Sequence, residues 1–262
     1  MSYVIAIANQ KGGVAKTTTA VGLSGALVQE GYDVLAIDLD AQANLTIALG
    51  INPLQVRRSI ADIFINAEKL ASVIQDTNLP GLELVPSNKD MELSERFVPL
   101  RQNHEILLRQ QLSTPEISSV YDFVVLDCPP YLGAITTNAL VAAQMLIIPT
   151  QAEVFSLNAL KNMIAQVKTI RQTLNPALTY RILITLRDVR SRVHRTMSEQ
   201  LFNAFPNGIL NTTIDMDTKL RESALVGMPV TFCYPKSRGA QQYRSLAMEI
   251  LEYVRQKNLI PA

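Results

Sequence analysis

Cysteine is scarce in this chain of 262 residues, which contains only Cys128 and Cys233. The two residues lie far apart in the sequence and show no spacing typical of a metal site, so we expect no disulfide framework. The scarcity of cysteine also argues against an iron–sulfur reductase, which needs several thiolate ligands. We interpret both cysteines as small buried hydrophobic residues.

Long apolar runs and linkers are absent as well. No apolar stretch reaches the ~18 residues that a membrane-spanning helix needs, and residues 2–8 lack the basic leader of a signal peptide. No Gly-, Ser- or Pro-rich linker, low-complexity tract or internal repeat divides the sequence. Hydrophobic residues make up 48% of the chain, which is ample for one extended core. We therefore predict a single domain over residues 1–262 and expect it in the cytoplasm.

The most informative segment is NQKGGVAKTTT at residues 9–19, which follows an apolar strand pattern and opens an apolar helix. Gly12 and Gly13 have no Cβ, so the backbone N–H groups of this turn can approach phosphate oxygens, and the positive end of the helix adds to the attraction. Lys16 is placed to reach the β- and γ-phosphates, and the Thr17 hydroxyl is placed to bind Mg²⁺. The predicted phosphate-binding residues are Lys11, Gly12, Gly13, Val14, Ala15, Lys16, Thr17 and Thr18.

This segment departs from the standard phosphate-loop pattern G-x-x-x-x-G-K-[ST] at two positions. Gln10 stands at the first glycine position, which points to a subclass. Ala15 stands at the last one and adds a methyl group where the backbone should approach the phosphates. A segment rich in Gly, Lys and Thr also suits a plain helix start, but the strand–turn–helix context favours nucleotide binding.

Carboxylates follow two further apolar runs. Asp38 and Asp40 come after residues 34–37, and Asp127 comes after residues 123–126. A buried parallel strand delivers such carboxylates to the carboxyl edge of a sheet, where ligands bind. Mg²⁺ takes oxygen ligands, and Asp127, acting through water, is the natural partner of Thr17. Either Asp38 or Asp40 is expected to orient the attacking water. The alternative is that these residues only cap helices. The metal candidates are Thr17, Asp38 and Asp127.

Strand patterns alternate with helix patterns along the whole chain. Strands are predicted at 3–8, 34–38, 82–86, 122–127, 145–149, 180–186 and 209–214. Helices are predicted at 17–29, 57–75 in pieces, 90–112, 135–143, 156–174, 193–205, 218–225 and 239–257. This alternation predicts an α/β fold with a doubly wound, mostly parallel sheet flanked by helices.

Four segments, at residues 11–19, 38–44, 125–130 and 234–240, resemble the ParA family of deviant Walker A ATPases within the ParA/MinD superfamily. The chain is similar to the short forms of this family, of Soj-like or McdA-like type. The resemblance implies a P-loop NTPase fold, ATP and Mg²⁺ as ligands, and slow ATP hydrolysis. It also implies an ATP-sandwich homodimer, nonspecific binding to double-stranded DNA on the nucleoid, and a stimulating ParB-like or McdB-like adaptor. The cargo would be a plasmid, a chromosome or a protein organelle such as the carboxysome.

The resemblance also implies roles for individual residues. Lys11 matches the lysine that crosses the dimer interface to the other subunit's phosphates. Asp40 matches the water-orienting aspartate, with Asp38 beside it. Lys16 and Thr17 match the loop lysine and the Mg²⁺ ligand, and Asp127 matches the Walker B aspartate. Residues 41–44 read Ala-Gln-Ala-Asn where the family usually has Pro-Gln-Gly-Asn, which bears on the hydrolysis rate more than on binding.

Charge repulsion supports the role of Lys11 independently. Two lysines serving one triphosphate within one subunit would repel each other at close range. A lysine that neutralises phosphate across a two-fold interface avoids this conflict and makes ATP part of the dimer contact. The alternative is a solvated surface lysine.

By resemblance, the turns after the strands predicted at 180–186 and 209–214 bracket the adenine base. The candidate base-binding residues are Leu186, Arg187, Asp215 and Met216. Many relatives have proline at the position of Asp215. The alternative is that both turns are ordinary strand-end loops.

Basic residues are distributed unevenly, although the net charge of the chain is only +1. Clustered basic residues would form a positively charged patch. A dimer would carry this patch twice and would bind DNA with salt-dependent, sequence-independent affinity. No aromatic residues lie among the arginines, which argues against reading of single strands by base stacking. The alternative is a solvated helix face. The DNA-binding candidates are Arg187, Arg190, Arg192, Arg195, Lys219 and Arg221.

Two other functions compete with a DNA-bound positioning ATPase. A MinD-like protein binds membranes through a basic amphipathic helix at its carboxyl terminus. Here residues 248–262 mix acidic with basic residues in an apolar spacing that indicates a helix packed on the fold, so no membrane partner is expected. A metabolic P-loop enzyme of dethiobiotin-synthetase type needs a pocket for an organic substrate, and no residue set in the sequence demands one. Lys11 discriminates between the two functions. A dimer-switch ATPase needs this lysine for ATP-dependent dimerisation, whereas a metabolic enzyme would dimerise regardless of nucleotide.

Overall fold

The computed structural model describes residues 2–153 and 156–257, with no side chains described for 156–158. Its centre is a sheet with strand order β3-β4-β2-β5-β1-β6-β7-β8. All neighbouring strands are parallel except β3 and β4. The strands are β1 Tyr3–Ile7, β2 Val34–Asp38, β3 Gln75–Asp76, β4 Leu82–Val85, β5 Phe123–Asp127, β6 Met145–Gln151, β7 Thr179–Arg187 and β8 Ile209–Asp215. The predicted fold class is confirmed.

Three central strands form because each is an uninterrupted apolar run that helices cover on both faces. Every residue of β1, β2 and β5 is buried. The register places Asp38 of β2 and Ile7 of β1 on either side of Asp127 in β5. The two predicted carboxylates therefore reach the same edge of the sheet, next to the turn that follows β1.

Helices lie on both faces of the sheet. They are α1 Lys16–Gln29, α2 Asn44–Ala48, α3 Ile60–Asn66, α4 Met91–Phe97, α5 Leu107–Leu112, α6 Pro115–Ser118, α7 Ala134–Ala142, α8 Ser156–Thr173, α9 Arg192–Ala204, α10 Thr218–Val226, α11 Val230–Cys233 and α12 Arg238–Gln256. Short 3₁₀ turns occur at Pro53–Gln55, Leu70–Ser72, Val98–Leu100 and His104–Ile106. One apolar core contains residues of α3, α7 and α8, and the other contains residues of α1 and α12.

Helices α1 and α12 pack closely because a glycine faces an aromatic ring. A Cβ on Gly22 of α1 would lie 2.5 Å from the ring of Tyr243, so a larger residue would separate the two helices. Tyr243 is fully buried, and its hydroxyl lies 3.4 Å from Thr19 Oγ1. This contact fixes α1, whose first turn belongs to the predicted phosphate site.

The prediction of one helix over 90–112 is wrong. The chain forms α4, two 3₁₀ turns and α5 instead. Pro99 lies in the first of these turns, and Asn103, which precedes the second, has a φ of 53° in the left-handed region. The prediction also missed β3, which pairs with β4 over two residues, and the short helices α2, α6 and α11. These elements are too short to produce a periodic pattern.

Helix α12 confirms that the carboxyl-terminal pattern packs on the fold, since Ile250, Leu251 and Val254 are buried. Residues 258–262 of that predicted segment lie outside the described residues. None of the helices described is both long and apolar enough to cross a bilayer.

Candidate active site

The turn between β1 and α1 forms an open cradle. Gly13 has a φ of 71°, and a Cβ placed on Gly12 or Gly13 would meet no protein atom within 4 Å. Ala15 precedes α1 with φ 64° and ψ 36°, and α1 has no side-chain cap at its amino terminus. The first amide groups of the helix therefore remain available to an anion.

Lys16 begins α1 and is buried in this cradle. Its ammonium donates to the backbone oxygen of Lys11 at 3.3 Å. Burial lowers the pKa of Lys16, while the nearby carboxylates of Asp127 and Asp40 act in the opposite direction. No salt bridge of the described residues includes Lys16, so its ammonium is free to pair with phosphate.

Thr17 and Asp127 meet directly, without an intervening water, at the carboxyl edge of the sheet. The Thr17 hydroxyl donates to Asp127 Oδ2 at 2.6 Å. The other carboxylate oxygen, Oδ1, is buried and has no hydrogen-bond partner among the described residues. Burial raises the pKa of Asp127 well above its usual range, and the charge of Asp38 adds to this. A hydroxyl beside a buried carboxylate with an unpaired oxygen fits Mg²⁺, which needs few protein ligands and retains water.

Asp38 is also buried, but donors surround its carboxylate. Oδ2 accepts from the backbone N–H of Thr46 at 2.8 Å and from its hydroxyl at 2.7 Å. Oδ1 accepts from the N–H of Asp40 at 3.1 Å. Burial raises the pKa of Asp38 to about 6 against these stabilising donors. These bonds give Asp38 a clear structural role, which is to hold the segment from Asp40 to Thr46 in place. Its roles as a catalytic residue and metal ligand stay predictions.

Asp40 is less constrained than Asp38. Its Oδ1 accepts from the N–H of Gln42 at 3.0 Å, and its side chain lines the same cavity as Lys16 and Thr17. The next helix, α2, begins after Ala43, which has a φ of 53°. Ala43 thus adopts the left-handed conformation that the family's glycine would adopt more easily. The position of Asp40 suits the predicted orientation of water.

The cavity at the phosphate loop has a volume of about 510 Å³. The loop and Asp40 form its polar side, and α2, α10 and α11 add apolar residues. Sequence reasoning did not single out this apolar side, because its residues come from short or weakly patterned helices. The lining residues beyond the loop and Asp40 are Val21, Gly22, Gln42, Asn44, Ile47, Ala48, Pro130, Leu220, Ser223, Ala224, Leu225 and Val230.

Lys11 lies outside the cavity in this structure. Its ammonium pairs with Glu153 Oε2 at 2.6 Å and donates to Gln151 Oε1 at 3.1 Å. The side chains of Lys11 and Glu153 are 32% and 43% exposed. Lys11 is therefore held within its own chain, by the last residue of β6 and by Glu153 just after it. Sequence reasoning missed Glu153, because a contact across 142 positions leaves no local pattern.

The predicted adenine residues come together at the ends of β7 and β8, but they do not line the cavity. Arg187 Nε pairs with Asp215 Oδ1 at 2.7 Å, and the N–H of Met216 donates to the backbone oxygen of Arg187 at 3.1 Å. Leu186 has a φ of 52°, which is unusual for a branched residue. Gln242 of α12 donates to Asp215 Oδ2 at 2.9 Å. The adenine assignment stays a prediction.

The six basic candidates for DNA binding differ in their surroundings. Arg187, Arg190 and Lys219 form salt bridges with Asp215, Asp188 and Glu222. The other three candidates are exposed and form no salt bridge with any described residue, and these are Arg192, Arg195 and Arg221. On the exposed side of α9, the positive charges of the predicted DNA-binding surface are therefore not paired with carboxylates of the described residues.

Comparisons with known proteins agree with this geometry. A family model described as an AAA domain matches residues 2–180. The chain is 33% identical over 251 residues to the sporulation initiation inhibitor protein Soj of Bacillus subtilis, covering 95% of this chain and 98% of Soj. It is 32% identical over 255 residues to the chromosome partitioning protein ParA of Caulobacter vibrioides, covering 97% of this chain and 96% of that protein.

A solved structure is similar over the full length. It is that of cobyrinic acid a,c-diamide synthase from Mycobacterium smegmatis with bound ADP and magnesium. The two chains share 30% identity with a TM-score of 0.86, over 100% of this chain and 99% of the other. A protein of closely similar fold thus binds a nucleotide with magnesium.

Proposed function

The chain belongs to the ParA/Soj family of ATPases within the ParA/MinD superfamily, and on this premise we propose that it positions an intracellular cargo through an ATP-controlled dimer. ATP joins two copies, the dimer binds double-stranded DNA without sequence preference, and an adaptor on the cargo stimulates slow hydrolysis. The observation that carries the proposal is the separation of two lysines at one phosphate loop. Lys16 lies inside the cradle, whereas Lys11 is held outside it by Glu153.

Each residue of the site has a defined task in this proposal. The loop amides and Lys16 bind the phosphates, and Thr17 with Asp127 would hold Mg²⁺. That ion supplies charge neutralisation at the β- and γ-phosphates when it is bound. Asp40 orients the attacking water, and Asp38 keeps Asp40 in place through their backbone contact. In phosphoryl transfer the protein mainly positions groups and stabilises charge, so this set is sufficient.

Lys11 then provides the link between the two subunits. Its pair with Glu153 is partly exposed, and pairs of this kind contribute about 0–1 kcal/mol. The charged phosphates of ATP bound to a second copy compete easily with one carboxylate of that strength. Once released from Glu153, Lys11 would neutralise phosphate across the interface. Hydrolysis of ATP would remove this cross-subunit contact, and the two copies would then separate.

The exposed face of α9 supports DNA binding by the dimer. Arg192 and Arg195 have no carboxylate partner among the described residues, so phosphates can pair with them without breaking a salt bridge. Pairing of these residues in two copies doubles the number of phosphate contacts. In this proposal the ATP-bound dimer binds the nucleoid through this surface, within the cytoplasm.

The name of one relative favours a DNA cargo. The protein of Caulobacter vibrioides is a chromosome partitioning protein. We therefore propose a chromosome or a plasmid as cargo, with a ParB-like adaptor, before a carboxysome with a McdB-like one. The cargo is identified by which adaptor stimulates hydrolysis.

Light scattering with a nonhydrolysable ATP analogue and Mg²⁺ tests the proposal. We expect the wild-type mass to double on addition of the analogue. Lys11→Ala should bind the analogue with similar affinity and remain a monomer, since only the cross-subunit contact is lost. Lys69→Ala removes an exposed lysine that precedes a 3₁₀ turn, far from the loop in sequence, and should dimerise like the wild type. A wild-type chain that stays monomeric at micromolar concentration would refute the dimer.

An ATP-dependent amide-forming enzyme is the second candidate, and the name of the Mycobacterium smegmatis structure favours it. The apolar side of the cavity offers room for an organic substrate next to the phosphates. Such an enzyme has no need of Lys11 for assembly. Nucleotide-independent dimerisation of Lys11→Ala, together with ATP turnover that requires an organic acid, would support this candidate over the first.

A further inference from the structure

The loop of residues 128–133 connects the active site to α7. Just before it, Asp127 at the end of β5 accepts the hydrogen bond from Thr17. Within it, Pro130 lines the cavity at the phosphate loop. The conformation of this loop therefore bears on the position of Asp127 and on the wall of the site.

Helix α7 has no cap from its own amino-terminal residue. Gly133 occupies the cap position in an extended conformation, with φ −103° and ψ −163°, and has no side chain to accept a hydrogen bond. Glu95 of α4 supplies the acceptors instead. Its Oε2 accepts from the N–H of Ala134 at 2.9 Å, and its Oε1 accepts from the N–H of Ile135 at 3.3 Å. The helix end is thus capped by a residue 39 positions earlier in the chain.

The contact between α4 and the loop is very close. A Cβ on Gly133 would lie 2.3 Å from Glu95 Oε1, so the carboxylate occupies the space of a side chain at that position. Glu95 forms no salt bridge with any residue that the structure describes. Partial burial raises the pKa of Glu95, while the amides of α7 act against this rise. The carboxylate is therefore directed at the helix end rather than at a cation.

The loop itself is tied to the capped turn. The Thr136 hydroxyl donates to the backbone oxygen of Tyr131 at 2.6 Å, and the N–H of Thr137 donates to that of Gly133 at 3.0 Å. Fixing the first turn of α7 therefore also fixes the residues just before it. Pro129 and Pro130 restrict the remaining stretch back to Asp127.

We propose that Glu95 is a positioning residue for ATP hydrolysis, which tethers α7 to α4 and so holds the loop of residues 128–133 against the active site. The inference rests on the ATPase activity of the proposed function. A plain helix cap would contribute to stability alone. A tether also sets where the loop lies relative to Thr17 and Asp40. A cap formed by a residue of the helix itself does not have this effect.

Replacing the cap locally separates these two roles. Glu95→Ala removes the side chain that fills the space beside Gly133. The backbone of Gly133 has the extended conformation typical of a serine cap, so Glu95→Ala combined with Gly133→Ser places a cap in the vacated space. The double variant restores a hydrogen bond at the start of α7 but lacks the hydrogen bonds from α7 to Glu95 of α4.

The experiment compares kcat and KM for Mg–ATP, measured with DNA present, and the midpoint of thermal unfolding. Glu95→Ala should lower kcat about tenfold at a KM within about twofold of wild type, as for other residues that orient ligating groups. Its unfolding midpoint should fall by about 2–4 °C. The double variant should recover the midpoint but not kcat, and Glu95→Gln should be intermediate. Glu92→Ala, an exposed carboxylate of the same helix, is the control.

Two results would overturn the inference. One is an unchanged kcat in Glu95→Ala, and the other is a kcat that recovers with the unfolding midpoint in the double variant. Should Glu95→Ala fail to fold, the double variant decides by its kcat alone. A wild-type chain without turnover would contradict the proposed function itself, whereas an active wild type with an equally active Glu95→Ala contradicts only the positioning role.

Discussion

Two alanines at the site adopt backbone conformations that suit glycine. Ala15 has a φ of 64° and Ala43 a φ of 53°, and each precedes a helix that contributes to the nucleotide cavity. A non-glycine residue in this region costs about 1 kcal/mol. The chain thus accepts backbone strain next to its phosphate loop, where a methyl group also limits how closely the backbone approaches a phosphate.

Ala15→Gly should raise the free energy of unfolding by about 1 kcal/mol, because glycine adopts positive φ without steric cost. It should also increase the affinity for Mg–ATP severalfold, since the backbone can approach the phosphates more closely. Denaturant unfolding and nucleotide titration measure the two effects.

Ala67→Gly is the matched control, because Ala67 has a φ of 56° at the end of α3 and does not line the nucleotide cavity. It should stabilise the fold by a similar amount and leave the ATP affinity unchanged. Equal ATP affinities of wild type and Ala15→Gly would contradict the proposed effect of the methyl group.

At the scale of elements, sequence patterns predicted the strands that surround the site. They missed the helix break and the side-chain contacts that hold the surrounding loops in place. Buried apolar runs followed by aspartate gave β2 and β5, and the glycine turn gave the start of α1. The break between α4 and α5 was missed because apolar residues lie on both sides of it, at 97–100 and at 106–108, although Pro99 and the polar stretch at 101–105 mark it. Glu95 and Glu153 could not be found, since each acts through a contact with residues distant in sequence.

Helix α9 carries the prediction on DNA binding. Arg192→Glu combined with Arg195→Glu should abolish retention on double-stranded DNA and leave ATP-dependent dimerisation intact. Each phosphate contact that is removed lowers the slope of log K against log salt by about 1. A filter-binding or mobility-shift titration at several salt concentrations measures both quantities.

Arg57→Glu combined with Arg58→Glu makes the same change in charge at another place. These residues precede α3, whose first N–H donates to the backbone oxygen of Pro86, just after β4. Strand β4 lies five strand spacings, or about 24 Å, from β7. DNA retention should be far less affected there. Unchanged retention in the α9 variant would reject this helix as the DNA-binding surface.

For the whole molecule, assembly and hydrolysis should be separable. Asp40→Ala removes the group that is proposed to orient water, and it leaves the phosphate loop and Lys11 unchanged. It should form the ATP-bound dimer, stay on DNA, and hydrolyse ATP on the order of a hundredfold more slowly. Asp76→Ala, which removes an exposed aspartate from β3, is the control and should behave like wild type. Normal turnover in Asp40→Ala would refute its assigned role.

The bond between Lys11 and Glu153 has one more consequence. In the proposed cycle a monomer keeps Lys11 paired with its own Glu153, so the nucleotide bound to that monomer would not be hydrolysed. Pairing brings two such copies into register, and its rate rises with the square of their local density. Under the proposed cycle, ATP hydrolysis would therefore depend on the local protein concentration. Dilute monomers would hydrolyse little ATP, whereas concentrated ones would dimerise and hydrolyse it.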